Sequence, residues 1–328
     1  MISYAHCLSL EKESVQTHIT EVTLNIRPET PADYAAIQML HLRAFKGMDA
    51  PTIAHLHRQM PHYDPALALV AEQDHQIVGH VLFTPHTIRL LETDVAVVIL
   101  SPLGVDTTMH KQGLGGALVQ EGHRIAREKG FALSFLIGHD TYYPRFGYRT
   151  HAFGSAALTL SVDSLPAVDH SVLTVVPPAE SDTEALVRLW RYEEGRVDFA
   201  IVPDAGFLDW LSPNPALQAR IYQREGHLVG YTLIHDARPT QPAVFLAADT
   251  HAAQAMAAYI GQGHTTLTLP RHPYSRSTAA LGQSEAAVWS AAMVCGFQGD
   301  VLDTYFDQVR RGARIVGRPQ WGRAYDLS

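Results

Sequence analysis

The residues best suited to chemistry sit in one run, His110-Lys111-Gln112-Gly113-Leu114-Gly115-Gly116-Ala117. Glycines at a helix start let backbone N–H groups approach a phosphate closely, and the helix dipole favours its charge. Lys111 adds a positive charge beside them. Two common nucleotide loops fail on spacing. A P-loop needs Gly-Lys-Ser/Thr at its end, whereas Gly115 is followed by Gly116-Ala117; a dinucleotide fingerprint starting at Gly113 needs glycine where Leu118 stands. The same glycines would also serve a plain strand-to-helix turn, so the flanking elements decide their meaning.

Upstream, Val95-Ala96-Val97-Val98-Ile99-Leu100 reads as a buried strand by its branched apolar run. Pro102 and Gly104 near its end are poor ladder residues, which predicts a bulge or splay that leaves backbone groups free to bond an extended ligand. Downstream, Leu114, Ala117, Leu118, Gly122, Ile125 and Ala126 form the i, i+3, i+4 stripe of a core-facing helix. The first half reads in order as a strand (22–27), a helix (31–45), a variable stretch, and strands 66–72, 76–88 and 94–106. The glycine loop and helix (107–129), a strand (131–137), a short helix near 141–146 and a final strand follow. This mixed order suits an α/β or α+β fold with a central sheet.

The order repeats. Leu24-Asn25-Ile26-Arg27-Pro28 leads into a helical pattern through Asp33, Ile37 and Leu40, and Leu173-Thr174-Val175-Val176-Pro177 leads into another through Asp182, Leu186 and Leu189, at an offset of 149 residues. Each reads as a strand, a Pro stop, an Asp cap and an amphipathic helix. Gln76 to Val81 resembles His227 to Thr232, and Gly147-Tyr148 resembles Gly296-Phe297. Three element types in the same order, at a nearly constant offset, point to a duplicated unit. The expected organisation is an extension over 1–20, a first domain over 21–165 and a second over 171–328.

A chain of 328 residues accommodates two such domains, and 46% hydrophobic with 18% charged residues suits packed cores. The net charge of −8 argues against nucleic acid as a partner. Two cysteines are too few for a disulfide framework, and the longest apolar run is far too short for a membrane span. With no signal-like apolar segment at the start, a cytoplasmic protein is expected. His55, His57 and His62 cluster without the H-E-x-x-H spacing; they read as part of a solvated, mobile segment, and no metal is expected. Five arginines between 310 and 323 read as surface residues paired with acids.

The loop and the later Tyr142-Tyr143-Pro144-Arg145-Phe146-Gly147-Tyr148 together resemble the GNAT superfamily of N-acetyltransferases, with its Arg/Gln-x-x-Gly-x-Gly/Ala loop and closing Tyr-x-x-x-Gly-Phe segment. His110 departs from the first position of the loop pattern. The resemblance covers about 24–150 clearly and about 173–300 in degenerate form. It implies tandem domains, each a mixed, mostly antiparallel central sheet flanked by helices, and transfer of an acetyl group from acetyl-CoA to an amine.

On that resemblance, the backbone of Leu103, Gly104 and Val105 holds the pantetheine arm. His110, Lys111 and the amides of Gln112, Gly113, Leu114, Gly115, Gly116 and Ala117 hold the pyrophosphate. Tyr143 protonates the departing thiolate, a role its ordinary pKa of about 10 permits at neutral pH. A protonated amine must also lose a proton before attack, and His139, His80 and Glu72 are candidates to take it. The expected acceptor is a small-molecule amine, with a protein or peptide amine as runner-up and a non-catalytic acyl-CoA sensor as the rival class. Homo-oligomer formation is left open. The second copy reads Asp249-Thr250-His251-Ala252-Ala253 where the loop should be, and Ala292 where Tyr143 should be. It is expected to shape or cover the site without binding CoA.

Overall fold

In a computed structural model of the chain, residues 24–45, 47–165, 172–204 and 206–320 are described. The extension over 1–20, residues 21–23 at the start of the first expected strand, residues 166–171 around the boundary between the two expected domains, and Arg323 lie outside the described residues.

The first half runs β1 (Asn25–Pro28), α1 (Tyr34–Ala44), α2 (Asp49–His57), β2 (Ala68–Gln73), β3 (Gln76–Leu90), β4 (Thr93–Val105), α3 (Leu114–Glu128), β5 (Leu133–Ile137) and β6 (Gly154–Ser161). The second runs β7 (Leu173–Val176), α4 (Thr183–Glu194), β8 (Leu217–Arg224), β9 (His227–His235), β10 (Val244–Ala247), α5 (Thr250–Gly261), β11 (Thr266–Leu269), β12 (Glu285–Val288), β13 (Ala292–Gly296) and α6 (Val301–Arg310). The strands form sheets of order β1-β2-β3-β4-β5-β13, β10-β9-β8-β7 and β11-β6-β12. All pairings are antiparallel except β4 with β5.

The two halves share local detail. Asp33 accepts from the amide of Thr30 and Asp182 from that of Ala179, each at 2.8 Å, so both carboxylates cap a turn from its third residue. The β2–β3 pairing slips by one residue at Ala71/Glu72, and the β8–β9 pairing slips in the same way at Tyr222/Gln223. Gly79 and Gly230 occupy matching places at those bulges.

Beyond this the halves exchange strands. β13 adds antiparallel to β5, with Ala292 opposite Ile137 and Gly296 opposite Leu133. β6, from the first half, is the centre of the sheet that holds β11 and β12. One core cluster accordingly mixes Leu133, Phe135 and Phe153 with Phe199, Val294 and Tyr305. Another lies under α3, where Leu118 and Val119 are fully buried, each worth about 2 kcal/mol of apolar burial.

Among the described arginines of the 310–323 run, Arg310 and Arg311 pair with Asp307 at the surface, whereas Arg314 pairs with buried Asp198 and Arg318 is itself buried against Glu194, a correction to the expected surface run. The stretch after α1 is a correction to the expected solvated segment: α2 fills it, with Ala50, Ala54 and His57 buried. Ala50, Ala54 and His57 recur at four and then three residues, one face of a helix, and that face seats against the sheet. Among the described residues no helix is long and apolar enough to cross a membrane.

Candidate active site

The site begins where β4 leaves β5. The parallel pairing covers only Val97 to Ile99, whereas β3 follows β4 to Val105. The β3–β4 register slips between Leu100 and Leu103, at the Pro102 step, so the expected bulge is present. The amide of Asp106 donates to Val78 on β3. By strand alternation, the backbone groups of Leu103 and Val105 therefore face away from β3, into the gap. That gap is a cleft of about 1240 Å³.

Leu103, Gly104, Val105, His110, Lys111, Gly113, Leu114, Gly115, Gly116, Ala117, His139 and Tyr143 all line it; Gln112 does not and instead donates its side-chain amide to the Thr108 carbonyl. His110 closes the loop onto the strand: its Nε2 lies 3.1 Å from the Val105 carbonyl oxygen, which it meets as a donor.

The glycine loop ends on Gly113, at φ 84°, a left-handed conformation that favours glycine. No side chain caps α3, so its first amides stay available to an anion at the positive end of the helix. The counterpart helix α5 differs here. Asp249 caps it, accepting from Ala252 N at 2.6 Å, and Arg224 pairs with the same carboxylate at 2.8 Å. A carboxylate thus caps α5 where α3 is left uncapped.

Tyr143 stands on a short turn after β5, above Gly138, where an added Cβ would lie 2.5 Å from its ring. Burial, with a smaller contribution from Tyr142, pushes its hydroxyl well above the ordinary tyrosine range, so the proton is held firmly. His139 is exposed on the cleft wall, and its carbonyl accepts the amide of Tyr142 at 3.0 Å. The second half reaches this turn from beneath. Gly138 donates to Ala291 at 3.0 Å, and Arg149 and Val294 exchange backbone bonds at 2.8 and 3.0 Å. Every residue lining the cleft falls between Ala44 and Phe146, so among the described residues the second half braces the site and does not roof it.

Glu72 and His80 are placed apart from the cleft lining. Glu72 pairs with Arg27 at 2.8 Å on β2. His80 is fully buried, with Nε2 2.9 Å from Glu29 and Nδ1 2.8 Å from His41. Glu29 also accepts two bonds from Arg58 and one from Tyr63, each at 2.7 Å. Burial alone would raise the Glu29 carboxyl; the bonds from Arg58 and His80 override it and hold it down at about 2. Burial above all pushes His41 down to about 3. His41 Nδ1 is buried without a partner and points at Gly104, where an added Cβ would lie 2.7 Å away.

Sequence reasoning missed His41 and Glu29, together with the Phe45, Asp49, Ala50 and Ile53 wall. A histidine four residues after Ile37 on the buried face of α1 was the available signal.

The chain is similar to known proteins over these same elements. The sequence model of an acetyltransferase (GNAT) domain matches residues 25–151. The uncharacterized N-acetyltransferase YhbS of Escherichia coli is 34% identical over 128 residues, which are 39% of this chain and 74% of that protein. The uncharacterized N-acetyltransferase YjhQ of the same organism is 39% identical over 84 residues, 26% of this chain and 46% of YjhQ, so the match spans less than half of that relative. A crystal structure of a GCN5-related N-acetyltransferase from Kribbella flavida aligns with 83% of this chain and 71% of its own at a TM-score of 0.66 and 15% identity. That coverage carries the shared fold into the second half.

Proposed function

The chain belongs to the GNAT acetyltransferase family, and from that premise we propose that its cleft transfers the acetyl group of acetyl-CoA to a primary amine of a small molecule. The observation that carries the reading is the junction of a splayed β4 with an uncapped, glycine-lined α3 N-terminus, facing Tyr143 across one cleft.

Leu103 and Val105 bind the pantetheine arm through backbone groups, as an added strand would bind a sheet edge. The first amides of α3, with Lys111, hold the pyrophosphate. The amine nitrogen attacks the thioester carbonyl carbon, the C–S bond breaks, and Tyr143 gives its proton to the departing thiolate. His139, on the same wall, takes the proton that the amine gives up. Phe45, Ala50 and Ile53 offer the acceptor an apolar wall, and Asp49, the one carboxylate among the lining residues described, offers its ammonium a counter-charge. A peptide amine is the second reading, favoured by a cleft whose described lining comes from the first half.

Titration calorimetry of acetyl-CoA into the full chain tests the donor, and thiol release across a panel of amines and lysine-bearing peptides tests the acceptor. One site per chain is expected, lost on Gly115→Val, because an added Cβ there lies 2.5 Å from the Tyr142 hydroxyl. Tyr143→Phe should slow transfer by about 100- to 10,000-fold with acetyl-CoA affinity kept. No binding at high micromolar ligand overturns the donor assignment. Binding with a rate indifferent to Tyr143→Phe would instead mark an acyl-CoA sensor.

A further inference from the structure

Away from the cleft, three histidines from separate segments converge: His57 at the end of α2, His62 in the turn after it, and His86 on β3. One nitrogen of each lies within 4.8 Å of the other two. Their ring centroids are 6.0 Å apart for His57 and His62, 6.1 Å for His57 and His86, and 4.6 Å for His62 and His86. His62 is oriented from behind, with Nδ1 2.8 Å from Asp204 Oδ2. Its other nitrogen, Nε2, is buried and has no hydrogen-bond partner.

We propose that His57, His62 and His86 form a binding site for one divalent transition-metal ion of the zinc class. Imidazole nitrogen suits such ions, and three of them with a fourth position left to water is a familiar zinc set. Zinc holds nitrogen at about 2.0–2.1 Å, so the three rings need to close by only about an ångström to share it. The Asp204 contact is the arrangement that fixes a ligating imidazole: a carboxylate on one nitrogen leaves the other presented to the metal.

The location gives the ion a structural part. α2 walls the acetyl-CoA cleft through Asp49, Ala50 and Ile53 while carrying His57 on its far end. Asp204 comes from the second half, just after Ile201 and Val202 bond to Ile88 and Thr87 on β3. An ion on the three histidines therefore ties α2 to β3 directly, and to the second half through the His62–Asp204 bond.

The test uses the full chain, freed of any purification tag, stripped with a chelator and titrated with zinc alone against a chromophoric competitor. One zinc per chain is expected, at micromolar or tighter affinity, with a rise in melting temperature on loading. Cobalt in place of zinc should show the absorption of a nitrogen-ligated tetrahedral ion. His62→Ala should weaken zinc binding by at least about 100-fold, and Asp204→Asn, which keeps all three ligands, by about 10- to 100-fold. Asp204 is half exposed, so its variant reports on the site even if His62→Ala does not fold. No saturable binding at equimolar zinc, or binding unchanged in Asp204→Asn, overturns the proposal.

Discussion

His41 Nε2 lies 2.8 Å from His80 Nδ1, and the direction of that bond is set at its far end. Glu29 is ionised and accepts from Arg58 and Tyr63, so it must accept from His80 Nε2 as well. His80 Nδ1 is then the acceptor and His41 Nε2 the donor, which leaves a lone pair on His41 Nδ1. That lone pair faces Gly104, which lies on the stretch of β4 that lines the cleft. A buried carboxylate thus orients a ring beneath the strand assigned to the acyl donor.

The packing at this point predicts a compensating pair. Gly104→Ala puts a methyl 2.7 Å from His41 Nδ1, and neither partner has room to give. A cost of about 1–3 kcal/mol is expected, with weaker acetyl-CoA binding as β4 is pushed into the cleft. Adding His41→Ala should restore binding. Calorimetry on the two single variants and the double decides it, and additive losses would sink the contact.

Protonation gives a second prediction. His41 is down at about 3, and His123 and His272 at about 4, each chiefly through burial, against an ordinary value of 6.5. The sign follows from proton binding: below 6.5 the unfolded chain takes up protons that the folded chain refuses. Stability is therefore full above about pH 6.5 and lost as pH falls towards 4. From these three groups alone the slope approaches about 4 kcal/mol per pH unit near pH 5. Glu29 adds a further loss between its ordinary 4.5 and about 2. Urea unfolding from pH 8 down to 4.5 measures the slope, and a flat profile would contradict it.

These relationships also mark what sequence could and could not show. Pro102 and Gly104 are local ladder breakers, so the β4 bulge was legible, as were the glycine start of α3 and the Asp33 and Asp182 caps, each written within a few residues. Partners set by tertiary packing were not. Glu72 carries no sign that Arg27, 45 residues away, holds it. His57 and His62 lacked a metal spacing because the third histidine, His86, arrives from another element. The strand Ala292–Gly296 suits either sheet by pattern, and only packing puts it beside β5.

The contrast between α3 and α5 predicts one acetyl-CoA site per chain and names its reason. Asp249 already takes the Ala252 amide in the first turn of α5, and its carboxylate puts a negative charge there. Asp249→Ala should cost about 1 kcal/mol of stability by loss of the cap and leave acetyl-CoA affinity unchanged. Thermal unfolding and calorimetry on the same sample report both quantities. A second acetyl-CoA bound by the unaltered chain would contradict the assignment.

The strand exchange makes the two halves depend on each other. In a fragment holding 21–165, β5 loses its antiparallel neighbour along all five residues, and Leu133 and Phe135 lose Val294, Phe199 and Tyr305. β6 loses both of its partners, β11 and β12. Bare strand edges beside apolar faces lead to association. The fragment alone is expected to aggregate, although it contains every described residue that lines the cleft. Supplied in trans with 172–328 it should form a soluble one-to-one complex that binds acetyl-CoA. Size-exclusion chromatography with light scattering reads both results. A monomeric, folded fragment that binds acetyl-CoA as tightly as the full chain would show that β13 is dispensable to the turn carrying Tyr143.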